Sequence, residues 1–243
     1  MIEELLPAAV ATRESFGHLP ESELYAEERE LVAASVEQRR REFTTVRGCA
    51  RRALAALGVP PAPILPDRRG APRWPDGIVG SMTHSTGYQA AAVARRRDTV
   101  SIGIDAEPNE PLPSAGTLAL VTLPEERRWL SRRQVLRPDV CWDRLLFSAK
   151  ESVYKAWFPI TGTWLDFEDA LVTVDPDRGT FHARLLVPGP LADGIRLTGF
   201  SGRWMARRGM LLTAIALPAR ARVRHTPARH GLGTAHRALM GSG

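Results

Sequence analysis

Lysine is almost absent from this chain of 243 residues: Lys150 and Lys155 stand against thirty-one arginines. Cysteine is as scarce. Cys49 and Cys141 alone give no disulfide framework and no CxxC or Cys/His spacing suited to zinc, so a reducing cytoplasm is the expected compartment. No run of eighteen apolar residues occurs, and Met1-Ile-Glu-Glu-Leu-Leu-Pro7 has acids where a secretory leader needs positive charge. A soluble, unexported protein with no membrane partner is therefore expected. Acids are also missing after Pro218, where Arg220, Arg222, Arg224, Arg229 and Arg237 stand unopposed. Without those five the formal charge of +6 drops to about +1 over residues 1–217. The basic excess thus belongs to a glycine-containing tail without apolar periodicity, read as disordered rather than as a nucleic-acid-binding fold.

What is present fits a soluble globular enzyme, with 44% hydrophobic and 25% charged residues, in one large domain or two small halves. Between Glu27 and Leu57, apolar positions such as Leu31, Val36, Phe43, Val46, Ala50 and Leu54 recur at helical spacing, which predicts one long helix or two. Arg39, Arg40, Arg47 and Arg51 line its polar side. Residues 78–107 read as strands at 78–80, 88–94 and 100–107, with Gly80 to Ser85 as a connecting loop. A basic helix follows over 123–139, carrying Arg127, Arg128, Arg132 and Arg133. A second helix is predicted over 142–158 and ended by Pro159, and hairpins over 171–186 and 203–217 complete the chain. The hairpins at 88–106 and 200–217 are alike enough to point to two related halves.

Both lysines fall in Phe147-Ser-Ala-Lys-Glu-Ser-Val-Tyr-Lys155, with Glu151 between them. An ammonium is a compact charge that can grip one phosphate oxygen or pass a proton, where arginine serves better as a planar fork. In the strand ending at Glu107, Asp105 and Glu107 share one face, and neighbouring carboxylates repel unless a cation lies near. If the 142–158 helix crosses that strand, Asp105, Glu107 and Glu151 form an oxygen-only site suited to Mg²⁺, with Mn²⁺ as the alternative. Arg39, Arg47 and His84 would supply cations to a polyanionic ligand at a distance from that metal. Three classes stay open on these residues: a phosphoryl-type transferase, a Mg²⁺-dependent phosphodiester nuclease with a basic tail, and an arginine-rich binding module.

Gly103-Ile-Asp-Ala-Glu107, followed some forty residues on by Phe147-Ser-Ala-Lys-Glu-Ser-Val-Tyr-Lys-Ala156, resembles the paired signature of Sfp-type 4′-phosphopantetheinyl transferases. Within them it is most similar to the branch of the actinobacterial PptT and enterobactin-synthetase component D. Val46 to Arg51, Gly58 to Leu65, Trp74 to Gly77, Thr83-His84 and Tyr154 to Pro159 extend the likeness over residues 35–217. The resemblance implies an α+β fold of two similar α/β halves about a pseudo-twofold, with the active site in the cleft between them. The halves would be 1–106, with the nucleotide-binding elements and first metal strand, and 107–217, followed by the basic tail 218–243. It implies transfer of the phosphopantetheine arm of coenzyme A to a serine of apo acyl or peptidyl carrier proteins in fatty-acid, polyketide or nonribosomal peptide synthesis. Adenosine 3′,5′-bisphosphate would leave.

The same resemblance makes Asp105, Glu107 and Glu151 metal ligands, with Glu151 also the base. Lys150 and Lys155 become pyrophosphate contacts, Lys155 protonating the leaving phosphate. Arg39, Arg47 and His84 become contacts to the 3′-phosphate and adenine side, with Ser81, Met82 and Thr83 near the nucleotide. Where PptT-like chains carry a lysine after Ile-Leu, this chain has Pro66, leaving Arg68 or Arg69 to substitute. A monomer that binds no nucleic acid is implied, with the 123–139 helix as the surface that meets an acidic carrier.

Overall fold

In chain order, the computed structural model places a 3₁₀ turn (Ile2–Leu5), β1 (Ala11–Ser15), α1 (Ala26–Val32), α2 (Glu37–Ala56), β2 (Ile78–Ser85), β3 (Tyr88–Arg95) and β4 (Thr99–Pro108). Then follow α3 (Ala115–Val121), α4 (Pro124–Leu136), α5 (Trp142–Thr161), β5 (Ala170–Asp175), β6 (Thr180–Leu185), β7 (Leu191–Ala192), β8 (Ile195–Arg196), β9 (Gly199–Arg207) and β10 (Met210–Pro218). The structure describes residues 1–20 and 23–220. One antiparallel sheet has the order β1-β3-β2 and another the order β4-β10-β9-β6-β5; β7 and β8 form a short ladder of their own. Helices set against antiparallel sheets make this an α+β fold, as the sequence implies.

Period-two burial explains the layering. Ile78, Ala91 and Val93 turn from the first sheet toward Cys49, Ala50, Ala53 and Leu54 of α2. Val79, Ala90, Ala92 and Ala94 turn the other way and meet Ile102, Ile104, Ala106, Leu212 and Ala214 of the second sheet. On the far side of that second sheet, Leu211 and Ile215 meet the apolar stripe of α5. Trp142, fully buried at the start of α5, packs edge-on against Trp129 of α4 and Trp204 of β9, with centroids 5.4 and 5.3 Å apart.

The two sheets meet at β2 and β4 through side-chain hydroxyls. Ser81 Oγ accepts from Ile104 N–H at 3.1 Å, and Thr83 Oγ1 accepts from Ala106 N–H at 3.1 Å. Those hydroxyls satisfy buried backbone donors of β4. The expected division after residue 106 falls inside β4.

Of the one long helix or two expected from Glu27, the structure has two, α1 and α2, separated by residues 33–36. Other local expectations are corrected. Residues 81–85 are strand rather than loop, because their backbone pairs antiparallel with β3 as far as Ser85 opposite Tyr88. α5 runs through Pro159 and stops at Gly162, whose φ of 63° gives the left-handed cap that ends a helix cheaply only at glycine. Pro159 lies inside the last turn and gives up the one N–H that would donate to Lys155 O, yet the helix continues to Thr161. β1 and α3 carry no clear apolar period and were not foreseen. The basic tail lies outside the described residues from 221 onward. Before that point Pro218 closes β10, and Arg220 N–H reaches Asp193 Oδ2 at 3.0 Å.

Candidate active site

The site begins where α5 crosses β4. Gly103 makes the crossing possible: a Cβ there would lie 1.9 Å from Ser152 O, so only glycine lets the helix backbone come this close. Ser101 Oγ donates to Ala156 O at 2.7 Å and fastens the same crossing. Two residues along the strand from Gly103, Asp105 therefore faces α5, and it is only 4% exposed. Its Oδ1 accepts from Lys155 Nζ at 2.7 Å and from Thr83 Oγ1 at 3.3 Å. Lys155 Nζ donates also to Ile104 O at 3.2 Å. Asp105 Oδ2 is buried and has no hydrogen-bond partner among the described residues. A buried lone carboxylate oxygen is costly unless something fills the place beside it.

Glu107 lies at the mouth of the same face and pairs with Arg144 Nη1 at 3.0 Å. Burial pushes its carboxyl up to about 7; the Asp105 charge adds to the rise and Arg144 opposes it. Burial likewise raises the Glu151 carboxyl, with Lys155 opposing and Asp105 adding. Three carboxylates are thus coupled at the crossing, two of them holding protons more tightly than usual. Arg144 escaped the sequence reading. It lies seven residues before Glu151 and eleven before Lys155, a helical spacing that shares one face and could have disclosed it. Its other donors clamp Glu110 O at 3.1 Å and Pro111 O at 2.9 Å.

Lys150 lies elsewhere. Its side chain is 2% exposed and its ammonium is 2.8 Å from Glu126 of α4, with Phe167 O at 2.7 Å. The pyrophosphate contact expected of Lys150 finds no support in this placement, because the helix turns it away from Lys155 and into the interior. Burial lowers its ammonium and Glu126 offsets part of that effect.

A second group of cations comes from α2 and β2. Arg39 Nη1 donates to His84 Nε2 at 2.8 Å, while Glu42 lies 3.8 Å from His84 Nδ1. Burial, then Arg39 and Lys155, hold the His84 imidazole below its ordinary value, with Glu42 and Asp105 opposing. His84 therefore senses both Arg39 and the carboxylate crossing. Arg47, two turns beyond Arg39, is buried with its guanidinium carbon 3.5 Å from the Phe43 ring centroid. Its Nε has no partner among the described residues. Burial first, with Glu28 opposing and Arg39 and Arg51 adding, pulls it down to about 10. An exposed arginine beside a buried one, with a histidine at hydrogen-bond distance, makes a fixed cationic corner.

Strand alternation divides the expected nucleotide trio. Ser81 and Thr83 point into the β2–β4 junction, their hydroxyls spent on Ile104 and Ala106, whereas Met82 packs toward the α2 side. Of the two arginines offered in place of a lysine at Pro66, Arg69 is held in a turn where Asp67 Oδ1 accepts its N–H at 2.8 Å. Its charge reaches the Tyr154 hydroxyl, as does that of Glu151. Tyr154 in turn stacks with Trp164 and Phe158, at 4.7 and 5.7 Å between centroids.

Among the described residues, no group of three His, Cys, Asp or Glu side chains converges as a ready metal site. Asp105 turns to Lys155 and Glu107 to Arg144, so their charges are balanced by two separate cations instead of one shared ion. The donor chemistry nonetheless fits a hard divalent cation. Asp105 Oδ2 is an unpartnered buried oxygen, and Glu107 and Glu151 both feel the Asp105 charge.

Comparison with known proteins matches this architecture to two family descriptions. Residues 27–94 fit the 4′-phosphopantetheinyl transferase N-terminal domain, and residues 101–193 fit the 4′-phosphopantetheinyl transferase superfamily. The chain is 60% identical over 222 residues to the 4′-phosphopantetheinyl transferase Svp of Streptomyces mobaraensis, covering 90% of each chain. It is 50% identical over 224 residues to the transferase Npt of Nocardia iowensis, covering 89% of this chain and 99% of that one. It is 48% identical over 230 residues to the transferase PptT of Mycobacterium tuberculosis, covering 89% and 98%. These likenesses leave the nuclease and the arginine-rich binding module without support. The two domain matches, the near full-length relatives and the Gly103–Ser152 crossing that joins strand to helix place the chain in the 4′-phosphopantetheinyl transferase family.

Proposed function

We propose that the protein transfers the phosphopantetheine arm of coenzyme A to the serine hydroxyl of an apo carrier protein, with Glu151 as base and Lys155 as the cation at the diphosphate. The observation that carries this reading is the coupling of Asp105, Glu107 and Glu151 around one crossing that also holds Lys155. A raised carboxyl poised nearer neutrality is a better general base than an ordinary glutamate. Lys155 is accessible enough, at 26% exposure, to exchange its Asp105 contact for a phosphate oxygen. Its proton would go to the phosphate leaving as adenosine 3′,5′-bisphosphate. Arg39, His84 and Arg47 would bind the 3′-phosphate at the far end of the cleft, fixing the nucleotide while the diphosphate reaches Lys155. That remote binding holds the reacting phosphorus near Glu151.

Asp105, Glu107 and Glu151 would hold Mg²⁺, or Mn²⁺ in its place, and a bound divalent cation would neutralise charge on the diphosphate. Acyl and peptidyl carrier proteins of fatty-acid, polyketide and nonribosomal peptide assembly are the proposed partners, served by a cytoplasmic monomer. Among the described residues no helix is long and apolar enough to cross a membrane. The α4 arginines are the proposed carrier-facing surface. The test is release of adenosine 3′,5′-bisphosphate from coenzyme A, Mg²⁺ and a panel of apo carriers. Release that needs both carrier and enzyme supports the reading, and release without any carrier contradicts it.

A further inference from the structure

Glu126 is a junction. It is buried on α4, accepts from Leu123 N–H at 2.7 Å and from Val172 N–H at 2.7 Å, and pairs with Lys150 at 2.8 Å. Lys150 also donates to Phe167 O at 2.7 Å, in the segment that leads into β5. One carboxylate and one ammonium therefore tie the start of α4, the start of β5 and the middle of α5 together.

Helix geometry shows what this fixes. Ser152, two residues after Lys150, faces the second sheet, where its Oγ lies 2.7 Å from Thr213 Oγ1 and its carbonyl meets Gly103. At 3.6 residues per turn the two side chains project about 200° apart, on opposite sides of α5. Glu151 stands on the flank between them. With the sheet contact on one side and the ion pair on the other, α5 is held against rotation about its axis, and Glu151 is fixed on the same flank of the helix as Lys155, which pairs with Asp105.

We propose that Glu126 and Lys150 are positioning residues for Glu151, and that Lys150 makes no contact with the diphosphate. This inference rests on the transferase reading above. Removing one partner leaves a buried charge unopposed and lets the helix shift, whereas replacing both leaves a neutral contact of similar volume. A displacement of reacting groups near 1 Å lowers turnover by up to about a hundredfold.

The test compares Lys150→Met, Glu126→Gln and the double variant with wild type, measuring kcat and KM for coenzyme A. Rates are normalised to the folded fraction from thermal melts, so that lost stability is not read as lost turnover. The expected result is a kcat roughly ten- to a hundredfold lower in each single variant, with KM for coenzyme A within about twofold, and partial recovery of kcat in the double variant. Glu126→Gln keeps the chain isosteric, so it remains informative if Lys150→Met does not fold. A raised KM for coenzyme A in Lys150→Met without recovery in the double variant would overturn the proposal, as would wild-type kcat in Glu126→Gln. Wild type that transfers no arm overturns the transferase reading itself, a result distinct from either of those.

Discussion

Lys155 Nζ lies 2.7 Å from Asp105 Oδ1, while the other carboxylate oxygen of Asp105 is buried and without a partner among the described residues. The pair joins β4 to α5 beside Gly103, where glycine permits backbone contact, so strand and helix bring their charged groups together. A cation on one oxygen and an unspent acceptor at the other is the electrostatic form expected of a site that handles a charged diphosphate.

Glu151→Gln should keep the fold and lose about 10² to 10⁴ in kcat, the usual worth of a general base. Its KM for coenzyme A should change little. Steady-state kinetics with a fixed apo carrier checks this, and turnover at the wild-type rate would remove Glu151 from the chemistry.

Arg47 is buried and its Nε has no partner among the described residues, so an anion there would satisfy a costly buried donor. Arg47→Met should weaken coenzyme A binding by about 1.5 to 3 kcal/mol, the worth of a charged hydrogen bond, without lowering the melting temperature. A coenzyme A lacking its 3′-phosphate should bind the wild type equally weakly and be insensitive to the substitution. Calorimetric titration of both ligands into both proteins tests it; an equal loss for both ligands would place Arg47 away from the 3′-phosphate.

Glu107 gives a pH signature. Its carboxyl sits at about 7 in the folded protein against 4.5 for the free group, with burial as the main cause. The folded state therefore binds the extra proton between those values, and this group's contribution to stability falls as pH rises through that window. Glu107→Gln removes that contribution, which is on the order of 3 kcal/mol. In chelator, the melting temperature of the variant should gain on wild type as pH rises from 4.5 to about 7. A constant difference across the window would contradict it.

α4 exposes Arg128, Arg132 and Val135, with Arg128 weakly paired to Glu125 at 3.9 Å. If this helix steers an acidic carrier, KM for the carrier should rise with ionic strength more than KM for coenzyme A. Arg132→Glu should raise carrier KM at low salt and leave coenzyme A KM unchanged. An equal salt response of the two constants would dismiss α4 as the docking surface.

Much of the fold was legible because its signals are local. Asp105 and Glu107 could be put on one face from strand alternation, and Glu151 and Lys155 on one side of a helix from their spacing. The hairpins at β5–β6 and β9–β10 followed from turn residues. What stayed hidden was tertiary. Lys150 lies in the same contiguous motif as Glu151, yet its partner Glu126 is twenty-four residues earlier and looks like an ordinary first-turn acid on α4. Ser81 and Thr83 read as loop residues because nothing local shows that their hydroxyls cap the backbone of β4. Pro159 reads as a stop because a helix-interior proline usually is one, whereas the helix continues past it and Gly162 supplies the end.

The most direct measurement is the intact mass of a purified apo carrier protein before and after incubation with this protein, coenzyme A and Mg²⁺. Transfer predicts that the carrier gains one phosphopantetheine arm on its serine, and that Glu151→Gln leaves nearly all of it unmodified over the same time. A carrier panel whose masses stay unchanged with wild-type protein, under conditions where the protein is folded and binds coenzyme A, would contradict it.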